Sequence, residues 1–244
     1  MLKFIFLFLF TVLDAYEAKV EPFEVYKIKA SVAGEVVYAG KTYEARNIKN
    51  TTVIKLDDAQ NVIDLKNLRM QKKILLKEIE NLREMVKRKK ETYEKYKNLK
   101  TKSKTEKDLK FYDYMNTFNQ LLNLRSQLSS TIASIEKLND VINKKRVKIN
   151  GYLYKIYVNR GDYVAPGTVL AEVYDVSEEK ITVYVPIDEI ENVKNKRVYI
   201  NGKESGFKIY KIWNVPDKEY ITSYKVELIG KGMKMGEVVK VEFK

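Results

Sequence analysis

The 244-residue chain contains no cysteine and no histidine. Without cysteine there is no disulfide, no thiolate nucleophile, no thiol-held metal and no lipid-acylated cysteine. Without histidine the commonest general base and the commonest metal ligand are missing too. An enzyme would have to be assembled from carboxylates, lysine, tyrosine and serine, so the composition argues against catalysis, and neither a cofactor nor a metal is expected. Proline is scarce at 4 and glycine at 10, and neither occurs between Asp58 and Arg146. A sheet-forming segment of that length would be punctuated by turn residues. No apolar run approaches the roughly 20 residues that a membrane-spanning helix needs.

Charge is what the chain has in excess. The net charge is +13, and between Lys87 and Lys104 the basic residues are offset only by Glu91 and Glu94. Such a stripe fits an anionic surface or an acidic partner as well as a solvated lysine-rich helix face. At the N-terminus, Lys3 precedes an apolar run from Phe4 to Leu13, and Ala15 offers a small residue for cleavage. Residues 1–15 therefore read as an export signal, which argues against nucleic acid as the partner of the basic stripe.

The unpunctuated stretch from 58 to 146 reads as a helical hairpin. Leu65, Leu68, Leu75, Ile79, Leu82, Val86, Tyr93 and Tyr96 alternate in spacings of three and four, the seam of a coiled coil, with Lys72 and Lys89 interrupting it. After a break at Thr101–Lys104 the pattern resumes as Phe111, Tyr114, Phe118, Leu121, Leu128, Ile132, Ile135 and Ile142, with Arg125 and Asn139 as its polar exceptions. Thr105 is the expected N-cap of the second helix, with Asp108 in its first turn. Two antiparallel helices of about 40 residues would reach roughly 60 Å, far more than a small core requires.

Flanking the hairpin are two β-rich stretches with the same signature. One runs from Ala33-Gly34-Glu35-Val36-Val37 to Thr52–Asp57, the other from Asn150-Gly151-Tyr152-Leu153-Tyr154 to Thr168-Val169-Leu170. In the second, Asn159-Arg160-Gly161-Asp162 is a turn, and Ala165-Pro166-Gly167-Thr168 has the form of a type II turn. Antiparallel helices pack about 8–10 Å apart, so the chain leaves the hairpin beside the point where it entered. The two stretches, 24–57 and 147–174, can then complete one sandwich. From 175 to 244 strand-like segments recur at 181–185, 197–200, 207–213, 221–229 and 237–243, with a short helix starting at Pro186, which suggests a small β-barrel. The fold class is α+β.

The segment Gly151-Tyr152-Leu153-Tyr154-Lys155-Ile156-Tyr157-Val158-Asn159-Arg160-Gly161-Asp162-Tyr163-Val164-Ala165-Pro166-Gly167-Thr168 resembles the second half of the split lipoyl domain of membrane fusion proteins, the periplasmic adaptors of tripartite efflux pumps. Ile181-Thr182-Val183-Tyr184-Val185-Pro186 is similar to the start of that family's β-barrel. The resemblance implies a lipoyl-like sandwich interrupted by the coiled-coil hairpin and followed by the barrel. It implies a homo-oligomeric ring, a hexamer being the size considered, bridging an inner-membrane transporter of RND type and an outer-membrane channel. The place implied is the periplasm, with the protein held at the inner membrane through its transporter. The adaptor of an ABC exporter or type I secretion system is the alternative. With no membrane-proximal domain after the barrel, the chain reads as a short form. The family's tip carries Arg, Leu and Ser where this chain has Lys95, Leu99 and Thr105, so the resemblance assigns channel docking to these three. From the residues alone, Leu99 can equally be the last apolar residue of its helix and Thr105 a cap.

Two further readings compete. Met233-Lys234-Met235 invites comparison with a biotin or lipoyl attachment site, but a carrier lysine needs strands on both sides of a hairpin tip, and only residues 236–244 follow. Export of a soft metal would favour clustered thioethers, whereas Met70, Met85 and Met115 are scattered along the hairpin.

Overall fold

The computed structural model describes residues 15–244. The expected export signal, apart from Ala15, lies outside the described residues. In chain order the elements are β1 (Tyr16–Lys29), β2 (Gly34–Ala39), β3 (Arg46–Leu56), α1 (Ala59–Asn98), α2 (Lys104–Lys144), β4 (Arg146–Ile156), β5 (Tyr163–Val164) and β6 (Val169–Pro186). They continue as α3 (Ile190–Val193), β7 (Val198–Ile200), β8 (Lys203–Glu204), β9 (Lys208–Ile212), β10 (Ser223–Gly230) and β11 (Val238–Phe243). The fold is α+β, with one long helical hairpin and connected antiparallel ladders in the order β5-β2-β3-β4-β6-β1-β11-β7-β8, while β10 joins β6 and β9.

Burial along α1 follows a heptad. Leu65, Leu75 and Ile79 are buried, and the half-buried Leu68, Lys72, Leu82, Val86, Lys89, Tyr93 and Tyr96 keep the same spacing. This is the register expected for α1, its two lysines included. In α2 the expected register is wrong at every second seam position. Thr117, Leu121, Thr131 and Ile142 are the buried residues, and Lys110, Tyr114, Leu124, Leu128, Ile135 and Leu138 fill the positions between them. Phe111, Phe118, Arg125, Ile132 and Asn139 instead lie beside the seam, on one flank. The correct register replaces Arg125 and Asn139 by Leu124 and Leu138, removing both polar exceptions. Its cost is Lys110 in place of Phe111 and two threonines, whose hydroxyls are satisfied: Thr117 Oγ1 donates to the Asp113 carbonyl at 3.1 Å and Thr131 Oγ1 to that of Gln127 at 2.9 Å.

Two hydrophobic cores lie in the β region. One gathers Val36, Val53, Ile54, Leu56, Leu153, Leu170 and their neighbours from the stretches on either side of the hairpin. The other gathers Val20, Ile181, Val185, Val226, Leu228, Val241 and Phe243. Strands β1 and β6 pass through both lobes, paired from Val20↔Ile181 to Lys29↔Val169, and the first residues of β1 pair with β11. Thus Tyr16–Val20, which carried no strand expectation, belongs to the second lobe. The short helix starts at Ile190, because Pro186 still belongs to β6, paired with Ser223. Gly151 pairs with Ile48 of β3, just before the residues of β4 that pair with β6 as well. Its φ is 122°, and a Cβ there would come within 3.1 Å of the Tyr174 carbonyl oxygen.

The hairpin closes on a polar clamp. The Leu56 N–H donates to the Lys145 carbonyl at 2.8 Å, and Lys145 Nζ donates to the Asp57 carbonyl, 88 positions away in sequence. Asp58, 4% exposed, takes Arg146 Nη2 at 2.8 Å and Lys55 Nζ at 3.1 Å. Burial works to raise the Asp58 carboxyl, but its hydrogen bonds to Arg146 and Lys55 prevail and hold it below the usual aspartate range. Because the folded value is depressed, the stability Asp58 contributes is fully present above the unfolded value and is lost as pH falls through the folded one. Asp58→Ala should destabilise the chain by about 1–2 kcal/mol at neutral pH, a figure kept low because both cations are partly solvated. Denaturant titrations should show the difference from the unsubstituted protein shrinking as the solution is acidified through that window.

Candidate docking site at the hairpin tip

The tip is the chain's farthest excursion from both cores, and its turn is built by a capping box. Ser103 is the N-cap of α2: its hydroxyl accepts the Glu106 N–H at 3.2 Å, and its own N–H donates to Glu106 Oε2 at 3.0 Å. Lys102 Nζ adds an ion pair to Glu106 Oε1 at 2.9 Å. Lys102, then the Ser103 backbone and side chain, pull the Glu106 carboxyl down to about 2. Thr105 is therefore not the cap; it lies inside the helix, one residue past its start, with its side chain exposed. The correction was legible as Ser-x-x-Glu from Ser103 to Glu106, a stronger cap signature than Thr105 with Asp108.

Below the turn an aromatic layer stiffens the seam. The Tyr93 ring lies 5.3 Å from Phe111 and 6.4 Å from Tyr114. The Tyr96 ring has the ammonium groups of Lys102 and Lys110 each 5.4 Å from its centroid. Lys95 is exposed on the last turn of α1, and Leu99, 44% exposed, is its extended C-cap residue. Lys95, Leu99 and Thr105 thus share the tip, but no hydrogen bond or ion pair links them among the described residues. Leu109 and Tyr112, 62% and 60% exposed, add apolar surface beside them. The sequence reading names neither, because it follows the seam positions alone; a large apolar residue off the seam near the tip is itself the signal.

An open groove of about 630 Å³ separates the lobes, bounded in part by Tyr152, Tyr154, Tyr174, Lys180 and Met235. Its rings stack, Tyr154 on Tyr174 at 4.6 Å. Burial first, then the charge of Glu172, pushes the Tyr174 hydroxyl up to about 12. Lys234 sits in the turn between β10 and β11, where the Glu237 N–H donates to its carbonyl at 3.0 Å. Among the described residues no group of three Asp or Glu side chains is placed to hold a metal.

No protein-family model matches the sequence, and no curated protein does. Solved structures do match. MacA from Actinobacillus actinomycetemcomitans aligns over 95% of this chain and 78% of its own, with a TM-score of 0.77 at 12% identity. The membrane fusion protein Spr0693 from Streptococcus pneumoniae R6 aligns over 95% and 98%, with a TM-score of 0.64 at 12% identity. The chain has the membrane fusion protein fold. ZneB from Cupriavidus metallidurans matches it over 94% of this chain and 97% of its own, with a TM-score of 0.50 at 15% identity. Within the membrane fusion protein fold of this chain, no described helix is long and apolar enough to cross a membrane, which leaves strands aside.

The capping box makes a separable prediction. Ser103→Ala should cost about 1 kcal/mol of local stability, seen as faster amide exchange in the first turn of α2, whereas Thr105→Ala should leave exchange unchanged. Since the Glu106 carboxyl is depressed from 4.5 to about 2, protection of that turn should hold above pH 4.5 and fade as pH drops toward 2.

Proposed function

We propose that this chain is a non-enzymatic periplasmic adaptor, linking an inner-membrane efflux transporter to an outer-membrane channel. The observation that carries the proposal is the paired helices of 40 and 41 residues, which serve no core beyond their own seam. A rod of about 60 Å, from 1.5 Å of rise per residue, is a spanning device. Its tip presents Leu99, Leu109 and Tyr112 as apolar surface and Lys95 as a flanking cation. In this reading the first lobe, 24–57 with 147–174, is a lipoyl-like sandwich. The second, 175–244 together with the start of β1, is the β-barrel, and residues 1–15 are the export signal. Copies stack laterally as a ring, and the tips of Lys95, Leu99 and Thr105 meet the channel. An RND transporter is the partner that the sequence resemblance gives first, and an ABC exporter the second.

Cross-linking at native expression should trap ladders of the protein with itself and with a channel protein in the cell envelope; monomers alone would overturn the ring. Leu99→Asp should abolish tolerance to the exported compound while leaving the amount of folded protein unchanged. Full tolerance in that variant would reduce Leu99 to a packing residue.

A further inference from the structure

The seam register sorts the two flanks of the hairpin by charge. In antiparallel helices, the residues that follow the seam position on one side of each rod line one edge, and those that precede it on the other side line the opposite edge. The ring contact between Tyr93 in the seam and Phe111 on the flank places the Phe111 flank of α2 beside the α1 seam.

One edge carries Arg69, Arg83, Lys90 and Lys97 from α1 and Lys104 and Arg125 from α2, and no carboxylate. Between these cations lie Val62, Leu76, Phe111, Phe118 and Ile132. Among the described residues none of the six cations has an ion-pair partner. The other edge carries Asp64, Glu78, Glu106 and Asp113, with Met85 and Val141, and no cation. Glu106 and Asp113 there bind Lys102 at 2.9 Å and Lys89 at 2.7 Å, cations that approach from the tip turn and the seam.

The heights along the rod also correspond. Tyr93 against Phe111 and Lys89 against Asp113 set which residues of α1 and α2 share a level. On that scale Lys90 and Lys97 stand level with Asp113 and Glu106, Phe118 stands level with Met85, and Arg125 stands level with Glu78. Val62 stands level with Val141 near the base. A second copy rotated about an axis parallel to the rod would present its acidic edge at these same heights.

From this correspondence we infer that the basic, apolar edge of one hairpin seats on the acidic edge of a second copy, in register and pointing the same way. The inference rests on the adaptor reading and deepens it, assigning the contact and its polarity. Such a contact is heterologous, so it propagates and closes only by rotation. Exposed ion pairs add about 0–1 kcal/mol each. The apolar residues therefore supply the adhesion, and the charges fix register and direction. A channel or a lipid headgroup would account for the basic edge alone and leave the matched acidic edge without a role.

Because the chain has no cysteine, introduced thiols report unambiguously. Lys90→Cys and Thr92→Cys place single thiols on opposite edges at nearly one level. Full-length copies of the two variants, mixed and mildly oxidised, should give a mixed disulfide dimer in about tenfold excess over either variant alone. Adding Arg83→Glu and Lys97→Glu to the Lys90→Cys copy should lower that yield about fivefold, as should high salt. Disulfide dimers of one variant with itself, or none in any sample, would overturn the contact; a yield indifferent to charge reversal would overturn its electrostatic basis. Lysine-directed cross-linking of the same samples separates the two levels. Ladders without the mixed disulfide sink the edge contact and keep the ring, whereas loss of both sinks the adaptor reading as well.

Discussion

Everything in this fold depends on the clamp where the hairpin begins and ends. The Lys145 carbonyl accepts from Leu56, Lys145 Nζ reaches Asp57, and Arg146 and Lys55 hold the buried Asp58. The two partners of the Lys145–Asp57 bond lie 88 positions apart, and bringing together the ends of a free loop that long costs about 4 kcal/mol beyond a constant. The hairpin removes most of that cost in advance, because its helices pack along their whole length and deliver both ends to one place. Only then can β3 pair with β4, from Arg46↔Leu153 to Lys55↔Arg146, and enclose a common core. Rod and sandwich are therefore one cooperative object at the base, whatever freedom the tip has.

Much of this was legible in the sequence, for reasons that differ by element. The hairpin announces itself by missing glycine and proline, and the α1 seam by leucine and isoleucine at heptad spacing. The α2 register was misread because hydrophobicity alone prefers Phe118 and Ile132 to Thr117 and Thr131. Weighing the whole seam favours the threonines, since Leu124 and Leu138 come with them and a threonine hydroxyl can return to its own helix. The start of strand β1, before residue 24, was hidden by its alternating charges and by Pro22, which sits at the irregularity between Pro22 and Glu24 where the β1–β6 ladder shifts. At the tip, Lys95, Leu99 and Thr105 were found as a neighbourhood, but the cap was assigned two residues late, and the exposed Leu109 and Tyr112 were overlooked.

The distribution of chemistry is consistent across scales. Apolar volume is spent on two β cores and one seam, while the large charge is spent on the rod. Along the rod the charge is segregated by edge, a pattern that net charge alone conceals. The aromatic residues follow the same economy, clustering where helices or lobes meet: Tyr93, Phe111 and Tyr114 under the tip, Tyr152, Tyr154 and Tyr174 between the lobes.

The passage of β1 and β6 through both lobes has a mechanical consequence. No flexible linker lies between the lobes on these two strands; the same backbone crosses from one core to the other, twice and in opposite directions. A pull along the strands loads many ladder hydrogen bonds together, in shear, rather than peeling them one after another. The β region is thus stiff against stretching, while the shifts at Pro22/Glu24 and Ile28/Lys29 leave it two places to twist.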